Sequence, residues 1–294
     1  MWDTDRIIAT TLFIHMFLRK KIDAYLIAAI LVVLGVDLAV FLFSPSPLIP
    51  IIWMLISLNI KGCICCWNHH HQHLKFFYPE WANRALELVM GLQTGIVGEA
   101  WVLHHIFGHH VNYLDQTKDE SAWKDEKGRT MPPLEYAWTV TTQAYPKALK
   151  VGKKYPKIRV RLIQNMVATA LVLLALASVN SVNTLIQFVF PMAFLLFMTV
   201  YVTYEHHAGL DEKDPYKATY NITDYWYNFF TCNLGYHTAH HVQCGRHWSE
   251  LPQFHAEIKD KIPATLYRDA GFPLTWITKA QQILAAYGVS WNRG

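Results

Sequence analysis

Apolar positions in this chain come in long unbroken runs, and the runs come in pairs. Residues 24–43, AYLIAAILVVLGVDLAVFLF, hold a single charge, Asp37. At about 1.5 Å per residue, a helix of that length crosses the roughly 30 Å of hydrocarbon in a bilayer. After Ser44-Pro45-Ser46-Pro47 the apolar pattern resumes at Leu48 and runs past Lys61 into Gly62-Cys63-Ile64-Cys65-Cys66, which predicts a second span over 48–66. A second pair follows over 162–179 and 184–204, broken by Asn180-Ser181-Val182-Asn183 and free of Asp, Glu, Lys and Arg.

Two stretches are ambiguous. The run Ile7 to Leu18 is short and contains His15, so it reads as interfacial or as an extension of the first helix. The run Ala85 to Leu103 contains Glu87, Glu99 and three glycines (Gly91, Gly95, Gly98), and reads as a short helix lying on or dipping into the membrane. The expected architecture is an all-α integral membrane protein: a single domain over 1–294, about four transmembrane helices in two hairpins, and a helical cap built from 67–161 and 205–294.

Composition agrees: 52% of residues are hydrophobic and only 16% charged, unusual for a soluble domain. Charge also orients the hairpins, because cytoplasmic loops carry the Lys/Arg excess. The turns at 44–50 and 180–183 are uncharged, whereas Arg6, Arg19, Lys20 and Lys21 precede the first span and Lys150 to Arg161 precede the third. Both termini and the cap are therefore expected on the cytoplasmic side. The net charge of +4 is absorbed by this topology signal, and no basic soluble face for nucleic acid is visible. The N-terminus has neither a basic n-region nor a small-residue cleavage site. Five cysteines (Cys63, Cys65, Cys66, Cys232, Cys244) form no C-x-x-C pair and read as small apolar packing.

The chemistry lies in the histidines. Of 16 His, 13 fall in four windows at 69–73, 104–110, 206–207 and 237–241, and the predicted topology puts all four on one face of the membrane. His69 and His73 are four apart, as are His105 and His109, so each pair shares a helix face; His110 is rotated about 100° from His109. His237, His240 and His241 repeat the spacing. These are chelate spacings, and the number of imidazoles implies two metal ions, with Zn, Cu, Fe and Ni all suited to such ligands. His70, His71, His104 and His207 read as adjacent extras outside the ligand set, and His15, His247 and His255 as ordinary polar residues. Glu205, Asp115, Asp224 and Glu250 are candidates to receive the ligands' second N–H groups. Trp53, Trp67, Trp101, Trp226 and Tyr227 are candidate wall or interface residues. A transporter would carry such ligands inside its spans, and a metalloprotease needs H-E-x-x-H; neither pattern is present.

His-His-His-Gln-His at 69–73, His-Ile-Phe-Gly-His-His at 105–110 and His-Thr-Ala-His-His at 237–241 resemble the histidine boxes of the membrane-bound di-iron oxidases, which include fatty acid desaturases and alkane hydroxylases. Tyr204-Glu205-His206-His207-Ala208-Gly209-Leu210 is similar to the E-H-Y-G-L element of the hydroxylases, with His207 where that element has Tyr. Four spans instead of six point to the desaturases. The resemblance implies His69, His73, His105, His109, His110, His206, His237, His240 and His241 as metal ligands and catalytic residues, two non-haem iron ions as cofactor, and O2 as co-substrate. It implies an oxidoreductase acting on an unactivated C–H bond of a fatty acyl or other aliphatic chain, with desaturation first, and hydroxylation or oxidative decarboxylation to a terminal alkene as alternatives. No rubredoxin-like or ferredoxin-like cysteine spacing and no dinucleotide fingerprint is present. An external electron carrier of ferredoxin, rubredoxin or cytochrome type, with its reductase, is therefore expected.

Overall fold

The computed structural model describes residues 17–271 and Ala280; His15 and most of the Ile7 run lie outside them. The described residues are helical, with isolated bridges and no β-strand. Helix α1 (Asp23–Phe43) ends where Ser44 and two prolines stop the chain from continuing. Helix α2 (Leu48–His73) is 26 residues long, about 39 Å, so it outruns the expected span by two turns. Its first half exposes Leu48, Ile52, Leu55 and Ile56, while its second half is buried. The cause is visible in the sequence: the apolar run gives way at Trp67 to polar residues that need protein partners.

Helix α3 (Glu80–Thr94) and helix α4 (Gly98–His110) meet at an angle of 84°. The bend is made at Gly95, whose φ of +75° is left-handed and whose missing Cβ would stand 2.2 Å from the Met192 carbonyl oxygen; no other residue fits there. The stretch read as dipping into the membrane is thus a sharply broken helix. After α5 (Pro133–Val151), one helical segment runs from Pro156 to His207, 52 residues. It comprises α6 (Pro156–Thr184), a π-helical turn (Leu185–Val189) and α7 (Phe190–His207). Asn180, at φ −153° and ψ 97°, is the one non-helical residue inside it. Near the start of the segment Arg161 pairs with Glu80 at 3.1 Å and the Asn165 amide donates to Glu99 at 2.5 Å. Beyond Asn180, the Asn183 amide donates to the Phe41 carbonyl at 3.1 Å, beside the α1–α2 turn. Where a loop was predicted at 180–183, the helical backbone is interrupted at Asn180 alone. By length and composition α1, α2 and Pro156–His207 are able to cross a membrane, and the bent α3–α4 pair makes a fourth candidate.

One buried polar group ties the apolar helices together. The Lys61 ammonium lies 2.9 Å from Asp37, with both side chains fully buried. Trp53 donates its indole N–H to the same carboxylate at 2.8 Å, and Lys61 also donates to the Gln187 carbonyl at 3.4 Å. The short helices α8 (Tyr225–Thr231), α9 (His237–Val242) and α10 (Leu251–Ile258) complete the layer around the histidine-bearing ends. Ala239, Leu251, Phe254, Ile258, Ile262 and Leu266 form its own small core.

Candidate metal centre

Four segments deliver histidines to one place. The end of α2 brings His69 and His73, one turn apart. Helix α4 is π-helical over Trp101–His110, and this changes which histidines converge. In an α-helix, residues five apart differ by about 140°; the wider winding of a π-helix, with its i to i+5 bonds, brings them to within about 50° of one another. His105 and His110 therefore face the same point, their Nε2 atoms 3.0 Å apart, while His109 faces another. Of the two arrangements open to such a pair, one ion or two neighbouring ions, the geometry places His105 and His109 in different groups.

Helix α9 is fixed by Asn221, which accepts the Thr238 backbone N–H at 3.0 Å and donates to the Thr238 hydroxyl at 2.7 Å. Gly235 just before it leaves no room for a Cβ, which would fall 2.0 Å from the Ile222 carbonyl oxygen. The adjacent His240 and His241 of α9 then point to different groups.

The first group is His69, His73, His105, His110 and His240, and the second is His109, His207 and His241; within each, the ligand nitrogens all lie within 4.8 Å of one another. In the first, Nε2 of His69 is 2.7 Å from that of His105 and 3.2 Å from that of His73. In the second, Nε2 of His207 is 3.2 Å from that of His109 and 2.9 Å from that of His237, so His237 stands at its edge. Hydrogen bonding alone does not account for such a chain, since each neutral Nε2 is either a donor or an acceptor. His240 Nε2, both nitrogens of His241 and Nδ1 of His69, His110 and His237 are buried without a partner. Two imidazole nitrogens bound to one ion at about 2.1 Å and a right angle stand about 3.0 Å apart. The separations here match, so the donor set fits two metal ions. Burial and the neighbouring imidazoles hold His237, His240 and His241 well below the usual histidine pKa, in the neutral form a metal requires.

His207 lies in the second group and His206 in neither, the reverse of the placement expected. His206 Nδ1–H points to the Tyr220 carbonyl at 3.4 Å, and its Nε2 accepts the Tyr227 hydroxyl at 3.0 Å. Both nitrogens are engaged and His206 joins neither group, whereas His207, one residue and about 100° further round α7, completes the second. The other extras are structural: His70 donates to the Thr231 carbonyl at 3.2 Å, and His71 Nδ1 accepts the Phe76 N–H at 3.2 Å. His104 lines a cavity described below. His247 contacts Asp23 at 3.1 Å and His255 meets the Tyr267 hydroxyl at 3.1 Å, each away from the centre.

The carboxylate behind the ligands is also a correction. Asp119, buried in the loop after α4, accepts the His109 Nδ1–H on both oxygens at 2.9 Å. This fixes the tautomer that leaves the His109 Nε2 lone pair facing the second group. Of the expected carboxylates, Asp115 pairs with Lys118, Asp224 caps α8 by accepting the Tyr227 N–H, and Glu250 pairs with Lys20. Glu205 presents its backbone carbonyl to Arg268. Nothing in the spacing of Asp115, Asp119 and Glu120 singles out Asp119.

Two apolar cavities adjoin the histidine groups and share Trp101, His105, Thr199, Thr203 and His237 in their linings. One continues between α4, α5 and α7 past Tyr136, Val140 and Leu196. The other runs between α2 and α7 past Gly62, Cys65, Leu195 and Met198. Of the expected wall residues only Trp101 lines them. Trp53 bonds to Asp37, Trp67 donates to the Phe230 carbonyl, Trp226 packs on Phe229 and Phe230, and Tyr227 holds His206.

Among curated proteins and among solved structures nothing matches the chain. The family model for fatty acid desaturases matches residues 44–271, from the α1–α2 turn through all four histidine windows, and the chain belongs to the fatty acid desaturase family.

Proposed function

We propose that the protein is a membrane-bound, O2-dependent di-iron oxidoreductase that introduces a double bond into a fatty acyl or similar aliphatic chain. The observation that carries this reading is a pair of apolar cavities that both include His105 in their linings, beside the histidine groups. Either cavity would hold an aliphatic chain against His105 and Trp101, beside the residues that would bind the metals. For a desaturation the balance is R–CH2–CH2–R′ + O2 + 2e⁻ + 2H⁺ giving R–CH=CH–R′ + 2H2O, with the electrons supplied by a separate carrier protein. Two irons, when bound, supply the reduction of O2 and the oxidising power to remove hydrogen from an unactivated C–H bond.

The chain's own residues hold and orient. His69, His73, His105, His110 and His240 would hold one ion, and His109, His207 and His241, with His237 beside them, the other. Asp119 keeps His109 in the ligating tautomer. Trp101, Thr199 and Thr203 line both cavities, so they would set which carbons come to rest beside His105. The apolar linings exclude water that would otherwise quench the oxidant. We further read the helices as four spans in two hairpins, with the histidine layer on the cytoplasmic side, where Lys150 to Arg161 lie.

The test is to purify the protein in detergent, count its metal, and supply electrons and O2 with mixed fatty acyl chains and alkanes. Two irons per chain and an internal alkene support the reading. An alcohol would move it to hydroxylation, a terminal alkene one carbon shorter to decarboxylation, and zinc with no O2 consumed would overturn it.

A further inference from the structure

Between Glu135 and Glu205 the chain holds no acidic residue, yet seven cations fall between Lys147 and Arg161. Lys147 donates to the Glu120 carbonyl at 2.8 Å and Arg161 pairs with Glu80 at 3.1 Å, while Arg159 is half-buried. Lys150, Lys153, Lys154 and Lys157 remain, exposed and without an acidic partner among the described residues. They sit on the turn between α5 and α6, and that turn is mounted on the histidine-bearing helix. The Tyr155 ring stacks on Phe107, with centroids 4.2 Å apart and planes 13° apart. A Cβ at Gly152 would meet Leu103 Cδ1 at 3.1 Å and Arg159 Cβ at 2.9 Å, so glycine is what lets the turn press onto α4. Leu103 and Phe107 belong to the π-helical stretch, and Phe107 is two residues from His105 and two from His109.

We propose that residues 150–157 are the docking surface for an acidic one-electron carrier protein, and that electrons pass from it by way of Tyr155 and Phe107 toward the helix that bears His105, His109 and His110. The proposal rests on the reading above that electrons come from a separate carrier. One double bond needs two electrons, so a one-electron carrier docks twice, leaves oxidised each time, and the two protons come from solvent. An unneutralised lysine cluster suits such an encounter, which must be fast and short-lived: charge complementarity raises the association rate more than the residence time. Cations beside a span also serve the membrane's own charge asymmetry, but that role asks for no aromatic stack on the metal-binding helix. Here the stack and the Gly152 contact fix the patch directly over it.

The test uses the iron-loaded full chain in nanodiscs of uncharged phosphatidylcholine. Anaerobic stopped-flow spectrophotometry follows reduction of the oxidised metal centre by either of two donors. One is a reduced, acidic plant-type ferredoxin; the other is reduced methyl viologen, a small cation with no affinity for a basic patch. Reversal of the patch (K150E, K153E, K154E, K157E) is expected to lower the ferredoxin rate constant at least about tenfold at low salt and to flatten its ionic-strength dependence. The methyl viologen rate stays unchanged. The milder K153Q/K154Q variant should show an intermediate loss, which guards against misfolding of the reversed protein. Equal ferredoxin rates in wild type and variant would overturn the proposal. So would a loss seen only in discs containing phosphatidylserine, which would make the patch a lipid site. If the wild type binds no iron, the proposed function fails instead. Ferredoxin binding to the discs, measured by biolayer interferometry, then decides the surface on its own: lost on reversal if the proposal holds, unchanged if it does not.

Discussion

Replacing His207 and His206 one at a time separates a metal ligand from its neighbour. In His207→Ala the second group keeps only His109 and His241, and the Nε2 that stands 3.2 Å from His109 and 2.9 Å from His237 is gone. Iron content should fall from about two to about one per chain, since loss of even an outer partner of a ligand typically costs about 10- to 100-fold in affinity and loss of the ligand itself costs more. Product formation should stop. In His206→Ala both groups are complete, and the damage is local: the Tyr227 hydroxyl loses its acceptor in a buried setting, a cost of about 1–3 kcal/mol. That protein should melt earlier yet keep about two irons. Iron counted by plasma emission spectrometry on protein purified without chelator, with thermal unfolding measured in the same detergent, reads both quantities. A His206→Ala protein short of one iron beside a fully loaded His207→Ala would refute the assignment and restore His206 as the ligand.

Asp119→Asn keeps the shape but removes the charge that steadies His109, so one of the two ions should be held about 10- to 100-fold more weakly, or about 1.4–2.7 kcal/mol, as read by chelator competition. Thr199→Phe should block the common wall of both cavities, abolishing product while leaving the metal count unchanged; a product yield equal to wild type would show that the chain does not pass there. Lys61→Met strands Asp37 in the apolar interior and should cost about 3–5 kcal/mol, whereas Lys61→Met with Asp37→Leu should recover most of it. Thermal unfolding in detergent distinguishes the two, and equal melting of single and double variants would contradict a paired burial.

The spans were legible because apolar runs of twenty residues have few other uses, and the histidine windows because their spacings fall on helix faces. What the sequence left out was handedness in detail. The spacing of His105, His109 and His110 is compatible with α- or π-winding, and it is the π-winding that brings His110 round to His105. His206 and His207 are chemically identical neighbours, and which one faces the centre depends on the rotation of α7 about its axis. That rotation is set by contacts such as Tyr220 and Tyr227, far along the chain. Asp119 was hidden for a similar reason: it reaches His109 through an irregular loop, where no periodicity indicates direction. A loop of four residues was expected at 180–183, where Asn180 is the one non-helical residue.

Two helices divide their histidines between the two groups. The π-helical part of α4 gives His105 and His110 to one and His109 to the other, and α9 gives His240 to one and His241 to the other. Neither position is therefore independent of its neighbour. On the two-metal reading proposed above, an ion arriving at either group would fix the azimuth of α4 and α9, and with it the aim of the histidines those helices contribute to the other group. The ordering cost is met largely by the first ion, so the second binds more tightly. A titration of the apoprotein would then be sigmoidal, with singly loaded molecules scarce at every stage.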